Sequence, residues 1–301
     1  MAGSQDIVED PRNATVLVWV NGALVPRAQA VVSVFDGGYI AGDGVWEGLR
    51  LVKGRWLQLG QHLDRLLAGS GAIQLAVPGG RDGILAALEA TRAANGMVDG
   101  VHARLMVTRG IKSTPAADPR QVVGGATVVI IMEFKVPRPE LLAAGLALMT
   151  SAYRATRPDQ FDMRLNSHSR LPYIMALMQA YNNGADEALM LDDRGYVASC
   201  NSTNFFFIRG GEVLTSTGRN CFNGITRGAV IELCGREGMA VQLGEFSLLD
   251  VMEAEEAFVT GTSGGITPVR SLDGRAFSGG VPGVVTARID ALYRAMVGIS
   301  G

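Results

Sequence analysis

Two short stretches decide much of the fold of this chain of 301 residues: GDGVWEGLR at Gly42–Arg50 and HLDRL at His62–Leu66. The glycines of the first stretch tolerate positive φ and break the chain before a strand. Trp46–Val52 and Arg55–Leu59 then flank Lys53-Gly54, which is a turn pattern. These features predict a β-hairpin that follows a sharp turn.

A helix is expected after this hairpin, from His62 to about Gly69. Leu63, Leu66 and Leu67 fall on one face at helical spacing. Upstream, Asn21-Gly22 lies between two apolar runs and is the strongest short hairpin signal. The chain therefore opens with β structure that leads into a helix.

Apolar runs and turn residues predict the remaining elements. The other predicted strands are Val16–Val20, Ala23–Val25, Val31–Phe35, His102–Thr108, Ala126–Met132, Leu146–Thr150, Glu187–Leu191, Tyr196–Ala198, Phe205–Ile208 and Val259–Thr262. The other predicted helices are Gly83–Ala94, Pro172–Asn182, Arg227–Glu237 and Pro282–Val297. Strands and helices are mixed in this order, which is typical of an α+β fold.

The Pro-rich stretch at residues 136–139 is the best linker candidate, because proline stiffens a connection and cannot donate to a strand ladder. We therefore expect an N-terminal α+β domain over residues 1–135, a linker over 136–140 and a C-terminal α+β domain over 141–301. A chain of this length has room for two compact domains.

Composition excludes several classes of protein. Hydrophobic residues make up 48% and charged residues 19% of the chain, which is unlike a disordered protein. The apolar run Ala126–Met132 is too short to span a bilayer. The net charge of −2 favours neither nucleic acid nor an anionic membrane surface. The three cysteines show no metal-type spacing, so we expect no metal site and a cytoplasmic protein.

Both opening stretches resemble class IV, fold-type-IV pyridoxal-phosphate aminotransferases, specifically the branched-chain and D-amino-acid aminotransferases. Further motifs recur in the order of that family, over about residues 15 to 296. They are Gly184–Leu189, Gly195–Val197, Asn204–Phe206, Gly224–Arg227, Thr260–Thr262 and Pro282–Thr286. The resemblance implies the two-domain D-amino-acid aminotransferase-like fold, with a barrel-like sheet and a phosphate cup in the second domain.

The predicted phosphate cup has a physical basis of its own. Gly224, Ile225 and Thr226 open a predicted helix, where unpaired backbone N–H groups and the helix dipole favour an anion. Thr262 adds a hydroxyl, and Arg65 offers a two-pronged cation. The resemblance implies that these residues hold the phosphate of pyridoxal 5′-phosphate or pyridoxamine 5′-phosphate. The alternative is that the glycines only form turns and Arg65 is a surface residue.

The sequence departs from the family at two chemical positions. No lysine follows Lys135, and the resemblance places Asn166 at the position of the lysine that binds the cofactor. An amide cannot condense with an aldehyde or shuttle a proton as that amine does. Ser199 stands where relatives have the glutamate that keeps the pyridine nitrogen protonated. These changes predict altered chemistry, with a cofactor bound non-covalently or not at all.

His168 and Arg170 follow Asn166 closely. His168 is a candidate general acid or base that needs no covalent bond to the cofactor. The alternative is a histidine that only hydrogen-bonds in a loop. Arg170 either occupies the volume that the lysine leaves or faces solvent.

The resemblance also implies substrate-binding residues. Arg104 and Arg109 lie where relatives place arginines for a substrate carboxylate, and a strand would point them to opposite sides. Trp46 and Tyr39 would line the cavity, although large aromatic residues in such positions are as often core.

Three functions remain open. The first is an aminotransferase-like enzyme for a small amino- or carboxylate-bearing substrate that uses non-aldimine or cofactor-independent chemistry. The second is a conventional branched-chain, D-amino-acid or amine transaminase served by Lys135. The third is a non-catalytic binding protein. The resemblance implies a homodimer in each case.

Overall fold

The computed structural model describes residues 8–299. These residues form two compact units. The N-terminal unit comprises Glu9–Val136 and Leu165–Arg170; the C-terminal unit comprises Pro137–Arg164 and the described residues from Leu171 onward. After Val136 the chain leaves the C-terminal unit once, for residues 165–170. The single sequence-based boundary at residues 136–140 did not include this excursion. Both units combine a sheet with helices, which confirms the α+β class.

The N-terminal unit contains one six-stranded sheet and three α-helices. The strands are β1 (Leu17–Val20), β2 (Ala23–Pro26), β3 (Gly44–Val52), β4 (Arg55–Trp56), β5 (Val101–Thr108) and β6 (Thr127–Phe134). The helices are α1 (Gly37–Ala41), α2 (Leu59–Ala72) and α3 (Gly80–Ala94). The strand order is β2-β1-β6-β5-β3-β4, and all neighbours are antiparallel.

The two predicted hairpins of this unit are confirmed. Asn21 and Gly22 both have positive φ, 48° and 95°, and join β1 to β2. Lys53 and Gly54 have φ of 46° and 76° and join β3 to β4. Paired positive φ values match the right-handed twist of a hairpin, which is why such residues predict it.

Helix α2 is longer than predicted, because it begins three residues before His62 and ends at Ala72. Its buried side chains include Leu63 and Leu66, which belong to the same core cluster as Leu49 and Leu51 of β3. Alternate residues of β3 thus face the helix and build the core. The opposite face of the sheet carries Trp46 and the other even-numbered residues of β3.

The predicted strand Val31–Phe35 is wrong. The segment is irregular, and Val31 and Val34 are 75% and 67% exposed. Valine favours a strand only when a neighbouring strand accepts its backbone. Here only Asp36 makes an isolated bridge, to Ile111, among the described residues.

The C-terminal unit contains a nine-stranded mixed sheet and six helices among its described residues. The strands are β7 (Leu146–Thr150), β8 (Glu187–Leu191), β9 (Val197–Cys200), β10 (Asn204–Arg209), β11 (Glu212–Ser216), β12 (Val241–Gly244), β13 (Glu256–Gly261), β14 (Gly265–Leu272) and β15 (Arg275–Ala276). The helices are α4 (Pro139–Ala144), α5 (Pro158–Phe161), α6 (Leu171–Asn182), α7 (Ile225–Arg236), α8 (Leu248–Met252) and α9 (Val284–Val297).

The strand order in this sheet is β12-β11-β10-β13-β14-β7-β8-β9, and β15 pairs with β14. The sheet is strongly curved, since Ser216 Oγ near one end donates to the carbonyl of Ala198 in the strand at the other end, at 2.8 Å. Phe205 and Phe207 are buried on the same face of β10, and Phe207 makes an edge-on contact with Phe246. The sequence of such a strand is a continuous hydrophobic run, because both faces of the sheet are covered there.

Among residues 8–299, no helix is long and apolar enough to cross a membrane.

Candidate active site

Residues 166–168 extend the sheet of the N-terminal unit. The Trp46 N–H donates to the carbonyl of Asn166 at 3.0 Å, and the His168 N–H donates to the carbonyl of Gly44 at 3.0 Å. Ser167 forms an antiparallel bridge with Val45. Because side chains alternate along an extended segment, Asn166 and His168 point to the same side. The structure thus brings these two predicted residues together with Trp46.

Asn166 is held through both its backbone and its side chain. Its Nδ2 donates to the carbonyl of Trp46 at 2.5 Å, and the residue is only 6% exposed. Its Oδ1 is buried and has no hydrogen-bond partner in the described structure. An acceptor without a partner is costly in a buried position, so this oxygen marks a place where a donor is missing.

Arg104 and Trp46 form the charged part of this cluster. The Arg104 guanidinium lies over the Trp46 ring, 3.4 Å from its centroid, and that of Arg170 lies at 5.8 Å. Burial, followed by the charge of Arg170, lowers the pKa of Arg104 to about 10. Glu47 opposes this shift but is itself paired with Arg65. Within the described chain no carboxylate makes an ion pair with Arg104, which leaves its cation available to an anionic ligand.

His168 is half-buried beside this cluster. Burial, and then the charge of Arg104, lower the pKa of its ring, while the Val45 backbone and Asp36 raise it. The net shift is downward, so the ring is neutral at pH 7. Its Nε2 is buried and makes no hydrogen bond to any described residue. A neutral imidazole with an unused nitrogen has the properties of a general base.

Arg65 does not lie free on the surface of α2. Its Nε and Nη2 each donate to Glu47 at 2.7 Å, and His62 Nδ1 lies 2.7 Å from the same carboxylate. Burial raises the pKa of Glu47. The hydrogen bonds from Arg65 and His62 lower this pKa by more, so the net pKa lies below the usual range. The charge of Arg65 is therefore shared with a buried anion.

Arg109 and Tyr39 are placed differently from the cluster around Trp46. Arg109 donates twice to Asp43, at 2.9 Å each, and also to the carbonyls of Ile73 and Gln74. Tyr39 lies on α1 and is 74% exposed. Arg109 thus ties together three segments of the unit, and Arg104 is the better candidate for a substrate carboxylate.

In the C-terminal unit, Gly224 is the N-cap of α7 and has extended φ and ψ of −62° and 139°. No side chain within residues 8–299 caps this helix. The Gly224 N–H donates to Asn204 Oδ1 at 3.1 Å, while Asn204 Nδ2 donates to the carbonyl of Phe222 at 2.7 Å. Asn204 thereby holds the turn in place, and the amides of Ile225 and Thr226 begin a helix of twelve residues.

Arg227, in the first turn of α7, was not singled out from the sequence. It is 7% exposed, and its Nη2 donates to the carbonyl of Ser216 at 2.7 Å. Its Nε is buried without a partner in the described residues. Burial lowers the pKa of the guanidinium, and Cys221 opposes that shift. A buried cation that lacks a carboxylate adds to the positive end of the helix dipole.

Ser199 and Thr262 occupy the same unit. Ser199 Oγ donates to the carbonyl of Thr203 at 2.7 Å, and Asn204 Nδ2 lies 3.2 Å from this oxygen. The hydroxyl proton of Ser199 is therefore engaged with the backbone. Thr262 follows the last residue of β13 and is half-buried in the turn that leads to Gly265.

The cysteines and potential metal ligands add no further centre. Cys200, Cys221 and Cys234 are free and buried, and burial raises the pKa of each thiol. The thiols are therefore protonated at neutral pH. In the part of the chain that the structure describes, no group of three histidine, cysteine or acidic residues is arranged to hold a metal ion.

The fold and these clusters define a class of protein. The family model of amino-transferase class IV matches residues 44–272, and the chain belongs to this family. It is 37% identical over 291 residues to branched-chain-amino-acid aminotransferase-like protein 1 of Arabidopsis thaliana. That alignment covers 97% of this chain but only 52% of the plant protein. The chain thus spans about half the length of the first curated relatives that it matches.

Two further comparisons cover both partners almost completely. The putative branched-chain-amino-acid aminotransferase of Methanocaldococcus jannaschii is 33% identical over 279 residues, which are 92% of this chain and 95% of that protein. The crystal structure of a T.th. branched-chain amino acid aminotransferase with pyridoxamine 5′-phosphate superposes with a TM-score of 0.88 and 27% identity, over 95% of each chain. The fold-type-IV architecture expected from the sequence is thereby confirmed.

Proposed function

We propose that this protein is an aminotransferase-like enzyme that binds a vitamin B6 phosphate without a lysine bond and acts on a small amino- or carboxylate-bearing substrate. One observation carries the proposal: no lysine follows Lys135, and Asn166 stands at the position where the family resemblance expects the lysine. Ser199 in place of the expected glutamate supports it. A serine hydroxyl cannot hold a proton on a pyridine nitrogen as an acid can.

The first turn of α7 is the proposed phosphate site. The amides of Ile225 and Thr226, the uncapped start of the helix and the buried cation of Arg227 all favour an anion. The family resemblance adds Thr262 of the same unit to this role; Arg65, which the resemblance also names, lies in the N-terminal unit and is paired with Glu47. The buried Nε of Arg227 without a partner is the structural observation that fits a bound anion. When bound, the cofactor ring would withdraw electrons from a substrate carbanion only weakly, because Ser199 does not keep the pyridine nitrogen protonated.

The cluster around Trp46 is the proposed substrate site. Arg104 is expected to bind a substrate carboxylate, because no carboxylate among the described residues pairs with its cation. Stacking on Trp46 fixes the plane of the guanidinium and so orients that carboxylate. His168 is expected to take a proton at Nε2 and return it, since its ring is neutral at pH 7.

A direct test is to incubate the protein with pyridoxal 5′-phosphate, divide it, and reduce one half with borohydride. Native mass spectrometry of the untreated half should show the bound vitamer, whereas denaturing spectrometry of the reduced half should show no added mass. Asn166→Lys is the matched positive control and should gain a reduced adduct. A stable adduct on the unmodified protein would overturn the proposal.

A conventional transaminase is the second candidate, because Lys135 is within electrostatic range of the substrate cluster. Burial lowers the pKa of Lys135, Glu133 raises it, and Arg104 lowers it. The other two lysines have structural positions: Lys53 forms a hairpin turn, and Lys112 Nζ donates to backbone carbonyls. If Lys135→Ala removed the visible absorbance of a bound cofactor, this second candidate would replace the first.

We also propose a cytoplasmic homodimer, as the family resemblance implies. Val31, Val34 and Tyr39 are all more than two thirds exposed in the N-terminal unit, at 75%, 67% and 74%. An exposed apolar group of this kind favours a protein partner. Light scattering coupled to gel filtration should give twice the mass of the chain, and a monomer would contradict the proposal.

A further inference from the structure

We propose that Arg170 is a second anion-binding residue beside Arg104, and that the two arginines select small acids with two negative charges over acids with one. This inference rests on the proposed function, which makes Arg104 the residue that binds a substrate carboxylate. It adds a substrate class: acids with two negative charges, and not the branched-chain amino acids named in the relatives.

The two guanidinium groups converge on one indole ring. The group of Arg104 lies 3.4 Å, and that of Arg170 5.8 Å, from the centroid of the Trp46 ring. Both distances end at the same point, so the separation of the two guanidinium carbons cannot exceed the two distances together. All three residues belong to the N-terminal unit. A small anion can thus reach both cations within this unit.

The segment that carries Arg170 is tied to the indole by hydrogen bonds. The Trp46 Nε1 donates to the carbonyl of Ser167 at 3.0 Å. The Arg170 N–H donates to the carbonyl of His168 at 2.8 Å, which turns the end of the segment back on itself. The backbone therefore holds the second arginine beside the ring on which the first one stacks.

Arg104 has N–H groups available to a ligand. Its guanidinium stacks on Trp46 through its face, whereas its N–H groups point outward in the plane of the group. Within residues 8–299 no side-chain hydrogen bond or ion pair uses these N–H groups, and the residue is half-buried. Arg170 is half-buried as well. An anion that approaches from the exposed side can therefore bind Arg104 through two N–H groups at once.

The two positive charges act on each other. Burial is the larger cause that lowers the pKa of Arg104 to about 10, and the charge of Arg170 is the next. Both groups remain charged at pH 7, and like charges repel more strongly where protein excludes water. A ligand with two negative charges offsets both cations, whereas a single carboxylate offsets one. An apolar side chain would offset neither and would remove water from both.

The planar fork of arginine suits two kinds of oxyanion. Carboxylates and phosphates both accept a pair of parallel hydrogen bonds from one guanidinium. The shared chemistry is therefore a small molecule with two negative charges. Its source is either a dicarboxylate or a phosphate monoester, and the experiment separates the two.

The test measures the binding of three probes to the full chain by isothermal titration calorimetry at pH 7.5. The probes are glutarate, methyl phosphate and pentanoate; glutarate and pentanoate have the same number of carbons and differ by one carboxylate. We expect at least one doubly charged probe to bind about tenfold more tightly than pentanoate. The tighter of the two identifies the source of the charge.

Three variants assign the effect to Arg170. Arg170→Gln should reduce the ratio of the dissociation constants to about one, and Arg170→Lys should keep part of it, because the charge remains. Arg55→Gln is the matched control, since Arg55 is exposed on β4 of the same sheet and its replacement also removes one positive charge. This variant should keep the wild-type ratio. A melting curve of each variant monitors folding.

The outcomes that overturn the inference differ from those that overturn the proposed function. Equal affinities of the wild-type protein for all three probes, or a ratio that Arg170→Gln leaves unchanged, would reject the role of Arg170. Arg104 would then still bind one carboxylate, and the proposed function would stand. If none of the probes bound, Arg104 would not be a carboxylate site, and the proposed substrate class would fail together with this inference.

Discussion

The guanidinium of Arg104 lies 3.4 Å from the centroid of the Trp46 ring, on the face of the sheet opposite the core. The two residues are on adjacent strands, where Trp46 pairs with Met106 and Arg104 with Gly48. The glycine opposite Arg104 leaves room for the rings of His102 and Trp46, since a Cβ at Gly48 would meet both of them. The stacked pair presents one oriented cation that no protein carboxylate neutralises within the described chain.

Replacement of Arg104 by methionine should weaken binding of carboxylate substrates. Methionine keeps much of the contact with Trp46 but removes the charge-assisted hydrogen bonds. We expect KM to rise by about 10- to 100-fold, with a smaller change in kcat. Steady-state kinetics with an amino acid and its decarboxylated amine would check this. If both substrates lost affinity equally, Arg104 would not be the carboxylate ligand.

Arg109→Met should instead reduce stability. Arg109 makes four hydrogen bonds, two of them to Asp43, and its side chain is only 12% exposed. Loss of this partly buried network should lower the free energy of unfolding by about 2–4 kcal/mol. Urea unfolding monitored by fluorescence measures it. An unchanged midpoint together with a raised KM would show that Arg109, and not Arg104, serves the substrate.

Glu47 should link the stability of the N-terminal unit to acid pH. Its pKa is lowered in the folded state, so its ionised form contributes stability above the unfolded pKa of about 4.3. This contribution is lost as the pH falls through the folded pKa. Glu47→Gln should cost about 3–5 kcal/mol at pH 7, because Arg65 is left without its anion. Urea unfolding at pH 7 and pH 4 should show a smaller pH effect in the variant than in the wild type.

His168→Ala should abolish turnover while the fold is kept. The pKa of His168 in the folded protein lies below its unfolded value of about 6.5. Between these two pKa values the folded protein binds fewer protons than the unfolded chain, so the free energy of unfolding falls as the pH drops below 6.5. The activity should fall on the acid side with an apparent pKa below 6.5. His102→Ala is the control, because burial, followed by nearby positive charges, lowers the pKa of His102 to about 3. Turnover by His168→Ala equal to wild type would leave only a structural role for that histidine.

The sequence predicted the local elements well where a turn or a helix period fixed them. Both N-terminal hairpins rest on residue pairs with positive φ, and α2 rests on leucines at helical spacing. It failed at Val31–Phe35, because β-branched residues predict a strand without saying whether a partner strand is present. The helix predicted from Arg227 begins at Ile225, and Gly224 at its N-cap agrees with the expectation that Gly224, Ile225 and Thr226 open it.

The site was predicted less completely than the fold. The resemblance brought forward Arg104 and Trp46, and the position of His168 next to Asn166 brought forward the histidine; the structure places all three in one unit. It gave no sign that Arg65 would be paired with a buried Glu47. Arg227 was also missed. An arginine in the first turn of a predicted helix, with no acidic residue in that turn, is a sequence signal that could have identified it.

The sequence by itself determined the family and the absence of any lysine after residue 135, because both are properties of residue identity and order. Only the tertiary structure showed that Asn166 joins a strand 120 residues away and keeps an acceptor to which no described residue donates. It alone also showed which arginines are neutralised and which are not. Local propensity acts over a few residues, whereas burial and hydrogen-bond partners depend on segments that meet only when the chain has folded.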